Sequence, residues 1–203
     1  MINSISDIRG ALIQTSPNQS GFNRPDQNVN DLLRSRCVVV FDIDGVLANN
    51  SFRGTIFQEY IVKKYGNDAH RKLGDDDWNY YDRIACPEPP IQSGRILLDV
   101  FRNSPNHYPI CVTGRSSRTS LRTRIWMGKN LNWNDPYIIH RSLNDHGSNY
   151  EVKEKIFKEL HESGASVCLW IDDNPEISKL SCPTMIVTPD YDIIEPLSGL
   201  DGL

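Results

Sequence analysis

The chain has no apolar stretch near the about 18 residues that a membrane-spanning helix requires, so no membrane association is expected. It has no CxxC pair, and its 5 cysteines are an odd number, which argues against a disulfide framework or a zinc ribbon and against a disulfide-linked partner. Cys111 and Cys168 fall in apolar strand-like runs and are expected as buried thiols in a reducing, cytoplasmic setting. The opening MINSISDIRGALIQTS lacks a basic stretch followed by an apolar one, so no signal peptide is expected. The five histidines have no metal-ligand spacing. A net charge of −4 and a pI near 5.7 exclude a global basic footprint for nucleic acid, leaving only a local patch such as RSSRTSLRTR. There is no internal repeat. A length of 203 residues fits one domain with room for a small insertion.

What is present is a repeated placement of polar residues. Val38-Val39-Val40-Phe41 is a short β-branched and aromatic run that reads as a buried parallel strand, and it stops at Asp42-Ile43-Asp44-Gly45. Ile110–Val112 reads as a second strand, ending in Thr113, Gly114 and Arg115. SVCLWIDDN reads as a third, ending in Asp172 and Asp173. Tyr137-Ile138-Ile139 and TMIVTPD are further strand candidates. Helical patterns alternate with these runs, which implies an α/β fold: a three-layer, Rossmann-like parallel sheet.

Residues 1–36 are polar, aperiodic and read as a flexible extension, with a short helix through Asp31–Arg34 leading into the first strand. The domain proper is expected over 37–203. A mainly helical insertion at about 50–90 follows the first strand, with Phe57, Tyr60, Ile61 and Lys64 on one mixed face and Asp75–Asp77 as N-cap candidates. In SGRILLDVFRN the inward residues are expected to be Ile96, Leu97, Val100 and Phe101. Trp126 and Trp170 read as packing residues, and Trp78, Tyr80 and Tyr81 as packing within the insertion or a platform for a base.

If the three strands lie side by side, Asp42, Asp44, Thr113, Asp172 and Asp173 meet at one sheet edge, where ligands bind in such folds. Clustered carboxylates repel unless a cation or a proton compensates, and an all-oxygen donor set suits Mg²⁺. The set also suits phosphoryl transfer: one aspartate as nucleophile, its neighbour two residues on as general acid and base, and a hydroxyl and a lysine on the phosphate oxygens. Of the lysines on the helix GSNYEVKEKIFKELHESG, Lys153 lies within the apolar arc of Val152, Ile156, Phe157 and Leu160, whereas Lys155 and Lys158 face water. Lys153 is therefore the candidate for charge neutralisation.

FDIDGV, VTGRS, Lys153 and WIDDN, in that order, resemble the four motifs of the haloacid dehalogenase-like superfamily over roughly residues 37–190. The resemblance implies Asp42 as nucleophile, Asp44 as acid and base, Thr113 and Lys153 on the phosphate, and Asp172, supported by Asp173, as metal ligands. It adds Asp42 and the main-chain carbonyl of Asp44 to a Mg²⁺ site. An aspartate at position 44 suits a phosphatase, and the insertion takes the place of a small helical cap. DDDWNYYDRIACPEPPI, VTGRSS, His140-Arg141 and Glu151-Val152-Lys153 further resemble the 3′-phosphatase domain of phage-type polynucleotide kinases. That likeness implies Arg53, Gly114 and Arg115 as substrate-binding residues, and a nucleic-acid end or nucleotide as substrate. Three departures stand out: Asn149 where an acid often precedes the lysine by four residues, Asn174 where arginine is common, and no GxxxxGK[ST] loop for a kinase half. A small-metabolite phosphatase, a 5′-nucleotidase and a non-catalytic binding domain on the same fold are the competing expectations.

Overall fold

The computed structural model describes residues 29–66, 73–85, 88–143 and 145–188. In chain order these form α1 (Val29–Ser35), β1 (Cys37–Phe41), α2 (Ser51–Tyr65), α3 (Asp75–Arg83), α4 (Gln92–Arg102), β2 (His107–Ser116), α5 (Ser120–Leu131), β3 (Ile138–Arg141), α6 (Asn149–Glu162), β4 (Ser166–Asp172) and β5 (Thr184–Ile186). Two 3₁₀ turns, Ser117–Thr119 and Pro175–Lys179, follow β2 and β4.

The five strands make one all-parallel sheet in the order β3-β2-β1-β4-β5. β1 is central, and the chain winds outward to β2 and β3 on one side and to β4 and β5 on the other. The C-terminal ends of β1 and β4 therefore border the crevice where the winding reverses. The strand period of two explains the layers. Val39 and Phe41 face a core with Leu98 of α4 and Trp126, Met127 and Leu131 of α5. Val38 and Val40 face the opposite core with Leu33 of α1 and Val152, Ile156 and Leu160 of α6. Both faces are covered, so β1 is apolar throughout rather than alternating.

Several local expectations need correction. β2 is longer than Ile110–Val112 at both ends: it starts ahead of Pro109 and runs through Thr113, Gly114 and Arg115 to Ser116. Pro109 is tolerated because β3 joins only from Cys111 onward, leaving that side of β2 without a ladder bond to lose. In α4 the buried residues are Gly94 and Leu98, with Leu97 and Phe101 packed against the core, while Ile96 and Val100 face out at 55 % and 59 % exposure. Five apolar residues in six positions define no single face, and the core took the phase centred on Leu98. At the start of α3 the N-cap is Gly74, and the Asp77 carboxylate reaches back to accept from the Gly74 N–H at 2.9 Å.

Of the described cysteines, Cys111 is buried, Cys37, Cys168 and Cys182 are half-buried, and all four are free thiols. No described helix is long and apolar enough to cross a membrane. Most of the polar 1–36 segment lies outside the described residues.

α2 and α3 pack against each other through the mixed face of α2. Phe57 stacks on Trp78 at 5.7 Å and meets Tyr81 edge-on at 4.9 Å, and Tyr60 stacks on Tyr80 at 4.1 Å. The aromatic residues of the insertion thus hold its two helices together, with Trp78 left 49 % exposed.

Candidate active site

Asp42 follows β1 directly. Its backbone N–H still donates to the Ile171 carbonyl of β4 at 2.9 Å, so the sheet ladder fixes where its side chain emerges. Asp172 is the last residue of β4. Lys153 arrives from α6, whose start is set by a capping box: the Ser148 N–H donates to Glu151 Oε2 at 2.7 Å, and the Glu151 N–H donates to Ser148 Oγ at 3.2 Å. This cap points the first turns of α6 at the sheet edge. Lys153 is 1 % exposed, and its Nζ donates to Asp42 Oδ2 and to Asp172 Oδ2, both at 2.8 Å.

Asp42, Asp172 and Asp173 each present a carboxylate oxygen within 4.8 Å of the others. Three carboxylates against one ammonium leave this buried cluster short of positive charge. Burial, with the Asp172 and Asp44 carboxylates nearby, outweighs Lys153 and raises the Asp42 pKa to about 8. Burial and Asp172 likewise raise Asp173. An all-oxygen donor set with excess negative charge fits a hard divalent cation such as Mg²⁺.

The loop between β1 and the insertion is shaped for this approach. Gly45 has φ +82°, and a Cβ there would lie 2.1 Å from Asp173 Oδ2. Only glycine permits both the left-handed turn and the close contact. Gly114 lets α6 close on the tip of β2, since a Cβ there would lie 2.6 Å from Asn149 Oδ1. Thr113 is fully buried beside it, and its hydroxyl accepts from the Arg115 N–H at 3.2 Å.

Asp44 borders the three-carboxylate cluster but has its own cationic partners. Arg115 Nε lies 3.2 Å and 3.0 Å from its two oxygens, Arg115 Nη2 lies 2.6 Å from Oδ1, and Arg53 Nη2 lies 2.6 Å from the same atom. Burial works to raise this carboxyl, but Arg115 and Arg53 prevail and hold its pKa at about 2. Arg53, near the start of α2, is 2 % exposed and lies over the Tyr81 ring at 4.4 Å.

The sequence reading passed over three supporting residues. Glu88 is 3 % exposed and reaches both arginines, Arg53 Nε at 3.0 Å and Arg115 Nη2 at 2.8 Å. No periodicity marks it, because it lies in a proline-flanked return from the insertion. The two tryptophans assigned to packing are buried as expected, and each also donates to the site. Trp170 Nε1 donates to Asp172 Oδ2 at 3.0 Å, and Trp126 Nε1 donates to the Glu88 carbonyl at 2.7 Å. A buried indole N–H needs an acceptor, which is the signal that could have flagged them.

No protein-family model matches the chain, and no curated protein matches it in sequence. Among solved structures, the Pnkp1/Rnl/Hen1 complex aligns at TM-score 0.53 and 16 % identity over 85 % of this chain and 50 % of that one. A second structure, of the Pnkp1/Rnl/Hen1 RNA repair complex, aligns at 0.53 and 14 % over 90 % and 53 %. The crystal structure of a hydrolase from Pseudomonas syringae aligns at 0.53 and 14 %, over 78 % and 87 %. These likenesses show the fold, an α/β core of Rossmann-like type built on one all-parallel sheet. The chain spans about half the length of the chains it matches in the two Pnkp1 complexes. In this core, all nine residues singled out from the sequence lie at or beside the C-terminal edge of β1, β2 and β4. Seven of them form two groups, an acidic cluster at Asp42, Asp172 and Asp173 with Lys153 bridging Asp42 and Asp172, and a clamp of Arg53 and Arg115 on Asp44, while Thr113 and Gly114 lie beside them on β2.

Proposed function

We propose that the chain is a Mg²⁺-dependent phosphomonoesterase acting through an aspartyl-phosphate on Asp42, with nucleic-acid 3′ ends or nucleotides as its substrates. The observation that carries this reading is Lys153 lying 2.8 Å from both Asp42 and Asp172, at the meeting of two strand tips. The Asp42 carboxylate attacks phosphorus as the ester P–O bond breaks. Thr113 and Lys153 hold equatorial phosphate oxygens, and Arg115 and Arg53 supply planar forks for the rest. The incoming phosphate competes with Asp44 for those guanidinium groups. Released from them, Asp44 takes up a proton and passes it to the leaving oxygen. It then takes a proton from the water that hydrolyses the acyl-phosphate, which restores Asp42. A Mg²⁺ held by Asp42, Asp172, Asp173 and the Asp44 carbonyl supplies positive charge that keeps Asp42 ionised and offsets charge on the phosphoryl group.

Two features support a nucleic-acid end over a small metabolite. Arg118, Arg122 and Arg124, on the turn and helix after β2, donate to neutral acceptors: the Asn79 side chain, the Arg83 carbonyl at 3.1 Å and the Pro136 carbonyl at 3.1 Å. Among the described residues Arg122 and Arg124 form no ion pair and Arg118 has only Asp82 near it, an excess of positive charge that suits a phosphodiester backbone. The structure that resembles this chain across 90 % of its length is an RNA repair complex. Phosphate release from a 3′-phosphorylated oligonucleotide, compared with a 5′-phosphorylated one, a mononucleotide and a panel of sugar phosphates, tests the substrate. Faster release from the 3′-phosphorylated end is expected, and preference for a metabolite or a 5′-mononucleotide rejects the nucleic-acid reading. No release from any ester with Mg²⁺ present favours the non-catalytic binding domain.

A further inference from the structure

Arg53 and Arg115 come from different parts of the molecule, one from the insertion and one from the central sheet, yet both side chains end on Asp44. Asp44 cannot be their lasting anchor if it is also the group that turns to the leaving oxygen. Glu88 is the other anion within reach of both. Its two oxygens are divided between them, Oε1 lying 3.0 Å from Arg53 Nε and Oε2 lying 2.8 Å from Arg115 Nη2. The side chains of Arg53, Arg115 and Glu88 are 1 % exposed against 19 % for Asp44, so water does least to screen the two contacts that Glu88 makes.

Among the described residues, the backbone around Glu88 is fastened to the core. Its carbonyl accepts from Trp126 Nε1 at 2.7 Å, the Asn49 N–H donates to the Pro89 carbonyl at 2.9 Å, and the Ile91 N–H donates to the Leu47 carbonyl at 2.9 Å. Pro90 also bridges to Ala48. Glu88 is thus a fixed point from which an arginine of α2 is held in register with an arginine of β2.

We propose that Glu88 is a positioning residue that holds Arg53 and Arg115 as one preformed clamp for the substrate phosphate, so that the clamp keeps its geometry when Asp44 moves to its catalytic task. This inference rests on the phosphatase reading of the same site. Two guanidinium groups facing a single carboxylate would repel each other and follow that carboxylate. A second carboxylate on a fixed backbone balances the charge and decouples the two jobs. Displacing a binding group by about 1 Å costs about 100-fold in rate, so removing the fixed point is felt at the phosphate although Glu88 does not touch it.

The test is titration of inorganic phosphate, with Mg²⁺ present, into the full chain and its Glu88→Gln and Glu88→Asp variants, followed by calorimetry and paired with steady-state kinetics and thermal melting. Gln keeps the length and loses the charge, whereas Asp keeps the charge and loses the span. For Glu88→Gln the expected result is about 10-fold weaker phosphate binding, a similar rise in KM and a fall of about 100-fold in kcat/KM. Glu88→Asp is expected to recover the melting temperature but not the phosphate affinity. A purely structural role would lower the melting temperature and the active fraction and leave KM and phosphate affinity unchanged, and that result in Glu88→Gln overturns the inference. Should Glu88→Gln fail to fold, wild-type phosphate affinity and KM in Glu88→Asp overturn it. A wild-type chain that binds phosphate, loses it on Glu88→Gln and hydrolyses no ester keeps the clamp and rejects the phosphatase reading. A wild-type chain that binds no phosphate overturns both.

Discussion

Asp42 and Asp77 are both buried carboxylates at the start of a loop or helix, and they have opposite surroundings. Asp77, in α3, receives only donors: Tyr60 Oη at 3.0 Å, Lys64 Nζ at 2.5 Å, Tyr65 Oη at 2.8 Å and the Gly74 N–H at 2.9 Å. The Lys64 hydrogen bond comes first among the influences that hold its pKa well below the ordinary carboxylate range, and it ties α2 to α3. Asp42 has the Ile43 N–H at 2.7 Å and Lys153, but burial, with the Asp172 and Asp44 carboxylates nearby, raises its pKa. A carboxylate given every donor it can use is a structural tie. A carboxylate buried among others lacks positive charge, and that deficit is what a cation and a phosphoryl group can fill.

The largest expected effect separates the two directly. Asp42→Asn should cost at least about 10⁴-fold in phosphate release, as loss of a nucleophile does, with the melting temperature kept. Asp77→Asn should leave Mg²⁺-dependent turnover in place and lower the melting temperature by about 2–4 °C. Turnover and melting curves on the two variants read both outcomes, and the same loss of turnover in each would erase the distinction.

Removing Lys153 comes next. Lys153→Met leaves Asp42 and Asp172 buried without their shared cation, which should cost about 3–5 kcal/mol in denaturant unfolding without metal. Added Mg²⁺ should recover more of that loss in Lys153→Met than it adds to the wild-type chain, since a cation answers the same deficit. Mg²⁺ itself should stabilise the wild-type chain by roughly 2.7 kcal/mol when free ion is about 100 times its Kd. Asp172→Asn and Asp173→Asn should each diminish that gain, and Asp77→Asn should not.

The same carboxylates make stability depend on pH. Asp44, at about 2 in the fold against an ordinary 3.8, contributes stability that is present above 3.8 and is lost as pH falls through about 2. Asp42 acts in the other direction. At about 8 in the fold, it binds a proton that the unfolded chain has released between 3.8 and 8, so metal-free stability declines as pH rises across that window. Unfolding midpoints against pH, with and without Mg²⁺, should show the decline without metal and a flatter profile with it.

Much of this contrast was legible in the residues themselves. Short apolar runs ending in Asp42, Thr113 and Asp172 located the strand tips, because a parallel strand covered on both faces stays apolar until it leaves the core. The helical phase of α6 placed Lys153 inward ahead of Lys155 and Lys158. The rest depended on tertiary contacts that no local pattern records. Glu88 has no period and gains its meaning from two arginines 35 and 27 positions away in the sequence. Asp44 took Arg53 and Arg115 as its partners, where Asp42, two residues before it, took Lys153. In α4 the apolar positions 96–98, 100 and 101 left two faces open, and the contact of Leu98 with the sheet decided between them.

The most direct test of the central claim is rapid acid quench of the full chain turning over a phosphomonoester with Mg²⁺, followed by peptide mass spectrometry. The expected result is a phosphorylated peptide with the modification on Asp42, absent from Asp42→Asn and depleted when Mg²⁺ is chelated. Turnover with no phosphorylated Asp42 at any quench time, or undiminished turnover by Asp42→Asn, would contradict the account.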